Sequence, residues 1–142
     1  MLVTKIFKNN SKNKLRLPLV TSKVQAGFPS PADDYIEKDL DLNELMIPHP
    51  AATFFVKVDG DSMLDAGIQS GDLLVVDRSL EATNGKIIVA IVNGEFTVKR
   101  LLIKGNSVFL APENSKFSLI KIQPDTDFQI WGVVSYVIHK PR

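Results

Sequence analysis

From Ala52 onward the chain falls into short runs of β-branched and aromatic residues separated by turn chemistry. The runs "TFFVKV", "LLVV", "KIIVAIV", "EFTVKRLLI", "SVFLA", "FSLIKI" and "FQIWGVVSYVI" read as seven strands. They predict a mostly β fold, a compact multi-stranded β domain over residues 46–142. Before it, no helical or strand period is sustained, so residues 1–45 read as an extended arm. Within that arm Pro29 and Pro31 bias Phe28 and Ser30 toward extended backbone, because the proline ring clashes with a preceding residue in the α region. Residues 27–32 are therefore expected to form a stiff strip, and Asp39–Met46 one helical turn capped by Asp39 or Asp41.

The sharpest local signal is "IVNGEF". Asn93 and Gly94 supply the two positive-φ residues of a type I′ turn, whose twist suits a tight hairpin. If Val92 pairs with Glu95, then Ile91 faces Phe96, Ala90 faces Thr97, Val89 faces Val98 and Ile88 faces Lys99. Side chains alternate along a strand, so Lys99 shares its face with Thr97 and Leu101 and meets Ile88 and Ala90 across the ladder. "KGNS" at 104–107 suggests a second tight connection. Phe54, Phe55, Phe96, Phe109 and Trp131 are expected in the core or on sheet faces, without chemistry of their own.

Composition narrows the field. The 142 residues are 44% apolar and 23% charged, enough for one domain with a core. No apolar run approaches the roughly 18 residues of a membrane span and no signal-like block opens the chain, so a soluble cytoplasmic protein without membrane contact is expected. The absence of cysteine removes disulfides, thiolate catalysis and cysteine zinc sites, and two histidines make a metal site improbable; no cofactor is expected. Charge is unevenly spread. Residues 1–26 hold six of the 17 basic side chains and none of the 16 acidic ones, so that segment carries +6 and the remainder −5. A basic arm of this kind docks on its own body, meets nucleic-acid phosphates, or stays solvated.

"KVDGDSML", Lys57 to Leu64, poses the chemical question. Gly-Asp-Ser is commonly a turn in which the serine caps a short helix, here "SMLDAG". Alternatively Ser62 is a nucleophile, which needs a base because a hydroxyl alone attacks too weakly. Taking an ammonium out of water disfavours its charged form, so a desolvated Lys99 could accept the Ser62 proton. The tight turn would also present backbone N–H groups as an oxyanion hole. His49 and His139 are rival bases, though neither lies near a convincing acid and turn. On spacing alone the structural reading of Ser62 stands.

Several blocks in order change this balance: "VQAGFPSPADDY", "DLNEL", "HPAATFFVKVDGDSM", "GDLLVVD", "GEFTVKRL" and "WGVVSYVI". Together they resemble the LexA/UmuD family of self-cleaving serine peptidases, and its UmuD-type branch of translesion DNA polymerase accessory subunits most. The resemblance implies that the Gly-x-Ser-Met turn falls on Gly60–Met63 with Ser62 as nucleophile, that Lys99 is the base, and that the scissile bond joins Ala26 to Gly27. Ala26 stands where UmuD-type chains can carry cysteine; LexA-type repressors have alanine there. The 26 residues before the cut leave no room for a three-helix DNA-reading domain, so repression is not expected.

The same likeness implies a homodimer, a RecA filament on single-stranded DNA as trigger, and a UmuC-type polymerase as partner of the shortened product. Two rival readings remain: a catalytically silent β scaffold that binds polymerase, and a nucleic-acid-binding protein that uses the basic arm.

Overall fold

The computed structural model describes residues 1–8, 16–20 and 36–142. The described strands are β1 (Leu2–Lys8), β2 (Arg16–Val20), β3 (Ile36–Asp41), β4 (Thr53–Asp59), β5 (Leu73–Asp77), β6 (Ile87–Val92), β7 (Glu95–Lys104), β8 (Ser107–Ala111), β9 (Ile120–Lys121) and β10 (Phe128–Ile138), with one short helix, α1 (Leu42–Met46). All seven strands read from the hydrophobic pattern are present. "FSLIKI" contributes only the two residues of β9, which pair at the sheet edge with Phe109 and Leu110; Pro124, lacking an N–H to donate, follows soon after.

The chain forms two compact units, Met1–Asn9 with His49–Arg142, and Asn10–Pro48. The division at 45/46 drawn from the pattern therefore differs at the front, because β1 joins the larger unit. Its alternation is weak, since most of its side chains are exposed, so long-range pairing and not local period places it. In the smaller unit β2 pairs antiparallel with β3, Leu17 opposite Leu40 and Pro18 opposite Asp39. Asp41 caps α1, its carboxylate accepting from the Asn43 N–H at 3.0 Å, while the other candidate, Asp39, lies in β3. The proline strip at 27–32 lies outside the described residues.

The larger unit is an eight-stranded sheet in the order β1-β4-β5-β10-β6-β7-β8-β9, and pairing of Leu2 with Thr97 joins β1 to β7. Six of the strands thereby close on themselves. Side-chain alternation sends successive residues to opposite faces, which produces two apolar clusters. Val89 and Val98 join Met1, Val56, Val58, Met63, Ile68, Leu74 and Val76 in one. Ile88 and Ala90 join Leu101, Leu110 and Val133 in the other.

Trp131 packs against Phe54 and Phe96 with ring centroids 5.2 and 5.8 Å away, and the Arg78 guanidinium lies 4.7 Å from its ring, which makes these aromatics structural. Gly132 sits beside a bulge in β10, where a Cβ would come within 2.6 Å of Val76 Cγ1. That close approach explains a glycine inside a strand.

The turn between β6 and β7 has the expected form, with φ of 49° at Asn93 and 81° at Gly94. Its register is also as expected: Ile88 with Lys99, Val89 with Val98, Ala90 with Thr97, Ile91 with Phe96, Val92 with Glu95. "KGNS" closes the next hairpin with Lys104 opposite Ser107.

A candidate serine–lysine active site

Ser62 enters the site from the turn after β4. Gly60 has φ +108°, a region that favours glycine, and its N–H donates to both Asp59 Oδ1 (3.0 Å) and Ser70 Oγ (3.1 Å). The Ser70 hydroxyl donates in turn to Asp59 Oδ1. From the other side the Glu113 N–H donates to the Ser62 carbonyl at 2.7 Å, and the Asp65 N–H to the Glu113 carbonyl at 2.7 Å. A 3-10 turn follows at Leu64–Ala66, but the Ser62 hydroxyl does not cap it: the Leu64 N–H bonds the Asp61 carbonyl instead. The helix-cap reading of Ser62 is thus set aside by geometry.

The Ser62 hydroxyl meets Lys99. Nζ lies 3.0 Å from Ser62 Oγ, and it also donates to Thr97 Oγ1 and the Val98 carbonyl, both at 3.3 Å. Ser62 is 1% exposed and Lys99 7%. The hairpin register puts Lys99 opposite Ile88, on the face where the second apolar cluster lies, so the amine is kept largely from water. Thr97, two residues earlier on the same strand face, is the side-chain oxygen that steadies the amine, and the alternation of β7 is the signal that places it there.

Met1 is a third resident of the site, and nothing in the sequence pattern pointed to it. Its α-nitrogen donates to Ser62 Oγ at 2.6 Å. Its carbonyl accepts from the Val98 N–H at 3.0 Å and from Thr97 Oγ1 at 2.9 Å. Burial, followed by the hydrogen bond and the charge of Lys99, lowers the α-amine from 8.0 to about 5, so it is uncharged at neutral pH. Beside the pair lies a cleft of about 560 Å³ whose walls include Leu2, Thr97, Lys99, Leu110, Phe117 and Ile120.

Both histidines are engaged elsewhere. His49 Nδ1 lies 2.6 Å from Asp77 Oδ2, and His139 Nδ1 lies 2.7 Å from Asp72 Oδ1. Burial pushes the Asp77 carboxyl up, but hydrogen bonds from Ser79 and His49 outweigh it and hold that carboxyl below its usual range. Among the described residues no group of three or more His, Asp or Glu side chains is arranged to hold a metal ion, and no helix is long and apolar enough to cross a membrane. Ala26 and Gly27, the expected scissile pair, lie outside the described residues.

Fold and site together define a class: a mostly β domain with a buried serine hydroxyl beside a buried lysine amine. The description "Peptidase S24-like" matches residues 18–135, and the chain belongs to that family, one of self-cleaving serine peptidases. It is 49% identical over 125 residues to protein ImpA of Salmonella typhimurium, covering 88% of this chain and 85% of ImpA. Identity to protein MucA of Escherichia coli is 44% over 133 residues, or 92% of this chain and 90% of MucA. To the LexA repressor of Bordetella avium it is 44% over 123 residues, 87% of this chain but 57% of the repressor.

Proposed function

We propose that this chain is a peptidase acting on itself, with Ser62 as nucleophile and Lys99 as base, and that it cuts between Ala26 and Gly27. The observation that carries the reading is the 3.0 Å approach of Lys99 Nζ to Ser62 Oγ with both side chains buried. Ser62 Oγ attacks the Ala26 carbonyl carbon while Nζ takes the hydroxyl proton. The tetrahedral oxyanion collapses, the bond to Gly27 breaks, and Lys99 returns the proton to the leaving Gly27 nitrogen. Water then hydrolyses the Ala26 ester on Ser62, with Lys99 taking and returning a proton again. The fragments are residues 1–26 and 27–142.

Because the substrate is tethered, its effective concentration is high and a modest catalyst suffices. Met1 has to leave Ser62 before the Ala26 carbonyl reaches it, since its nitrogen occupies the hydroxyl's neighbourhood. Cleavage is accordingly a regulated event in this reading, with a RecA filament on single-stranded DNA as trigger. ImpA and MucA are UmuD-like SOS mutagenesis proteins of the same family. This chain takes the corresponding role: a homodimer whose shortened product serves a UmuC-type polymerase in synthesis past lesions.

Intact mass after incubation at raised pH tests the chemistry. The natural protein is expected to yield two pieces divided after residue 26, and Ser62→Ala none. Cleavage of the Ser62→Ala protein at the same bond, or none in the natural one, overturns the reading.

A further inference from the structure

The peptide unit joining Asp61 to Ser62 is held from an unexpected direction. The Asn114 side chain reaches the nucleophile turn from the segment after β8, its Nδ2 donating to the Asp61 carbonyl at 2.8 Å. Next to it the Glu113 N–H holds the Ser62 carbonyl at 2.7 Å. Two successive carbonyls of the turn are thus bonded by two successive residues, 53 and 51 positions away. Glu113 is anchored in turn by the Arg100 side chain, which follows Lys99 on β7 and also donates to the Gly85 carbonyl at 2.7 Å. The opposite end of the Asn114 amide is occupied too. Its Oδ1 accepts from the Lys116 N–H at 3.0 Å, and its backbone carbonyl from the Phe117 N–H at 3.1 Å, which shapes the loop whose Phe117 and Ser118 wall the cleft.

A trans peptide holds its C=O and N–H antiparallel in one plane, and no described peptide bond is cis. Whatever fixes the Asp61 carbonyl therefore also fixes the direction of the Ser62 N–H. In acyl transfer a donor helps only if it already points to where the oxyanion forms, and loss of one such donor costs roughly a hundred- to a thousandfold in rate. The Leu64 N–H also donates to the Asp61 carbonyl, at 3.2 Å from within the turn, and the Glu113 bond acts on the next peptide unit; the Asn114 amide adds the shorter restraint, from outside the turn.

We propose that Asn114 is a positioning residue for the reaction: by holding the Asp61 carbonyl it aims the Ser62 N–H at the oxygen of the carbonyl under attack. Asn114 touches neither the substrate nor the proton in transit. It also links the wall of the cleft to the nucleophile turn through one side chain. The inference rests on the proposed role of Ser62.

The test compares the natural protein, Asn114→Asp and Ser62→Ala in self-cleavage and in labelling by a fluorophosphonate probe, whose phosphonyl oxygen needs the same donor. Asn114→Asp keeps the Oδ1 acceptor for the Lys116 N–H but replaces the donor by a charged acceptor oxygen, and Asn114→Ala removes the donor without adding charge. The cleavage and labelling rates of both variants are expected to fall about ten- to a hundredfold, with the melting temperature of Asn114→Ala unchanged. Rates within twofold of the natural protein overturn the positioning role. A fall accompanied by a displaced pH midpoint in Asn114→Ala, which adds no charge, also overturns it, since that marks damage to the Ser62–Lys99 pair. Should the aspartate lower the melting temperature by charge beside a carbonyl, Asn114→Ala is read by the same criteria. Failure of the natural protein to cut or label in a Ser62-dependent way would instead remove the proposed function.

Discussion

The proposed base and the proposed nucleophile arrive at the site by different means. Lys99 stands six residues from Asn93 in one hairpin, its position set by a two-residue turn and strict alternation. Ser62 stands in a turn that local bonds only begin to shape, Asp59 on Gly60 and Leu64 on Asp61; its carbonyl is held by Glu113 and its hydroxyl by Lys99 and Met1, all distant in sequence. Local chemistry can place a base with no knowledge of the rest of the fold. Aiming a hydroxyl in three dimensions takes contacts that only the closed sheet provides.

The largest expected effect comes from removing the locally placed partner. Lys99→Ala takes away the proton acceptor, and self-cleavage at neutral pH is expected to fall by about a hundred- to ten-thousandfold. A histidine base would make the rate level off near pH 6.5. A plateau below pH 7, or substantial cleavage by the alanine variant, would hand the base to another residue. The silent-scaffold alternative expects no difference between the two proteins, because neither would cut.

An intermediate effect concerns Met1, the most remote of the contacts on Ser62. Its α-amine binds fewer protons when docked, with a value near 5, than when free, with a value of 8.0. Docking is therefore fully favoured above pH 8 and weakens as pH falls toward 5; below that both states are protonated and the dependence ends. The Met1 side chain belongs to the first apolar cluster. Its methyl resonance should move toward the position of an exposed methionine as pH is lowered through this window. An unchanged resonance between pH 8 and 5 would show that the amine does not govern docking.

Much of the fold was legible because hairpins state their register in a few residues. "IVNGEF" implied both the turn and the partners of Lys99, and "KGNS" implied the next hairpin. Several strands from Thr53 onward are bounded by Gly or Pro, so their number could be counted. The contact of Ser62 with Lys99 was not readable from spacing; it required the resemblance of "GDSM" and "FTVK" to known self-cleaving peptidases, and the geometry now supplies the distance. Met1 and Asn114 gave no sign. β1 has no clear period, and a side-chain amide reaching across 53 residues leaves no local pattern.

The smallest expected effect sharpens the contrast between the two regions. Asn93 adopts φ 49°, a backbone that asparagine tolerates and glycine adopts freely. Asn93→Gly keeps the turn type and leaves the Asn93 backbone N–H available to the Asp127 carbonyl, now 2.8 Å away. Glycine loses more freedom on folding, so the change should cost under about 1 kcal/mol in denaturant unfolding. Cleavage should stay within twofold, because the β6–β7 ladder, and not the identity of the turn residue, sets the register of Lys99. Asn114→Ala, the loss of one functional group in the other region, should by comparison slow cleavage while leaving unfolding untouched. If Asn93→Gly slowed cleavage as much as Asn114→Ala, the base would be as dependent on fine aim as the nucleophile, and the distinction between a locally placed base and a remotely aimed hydroxyl would be lost.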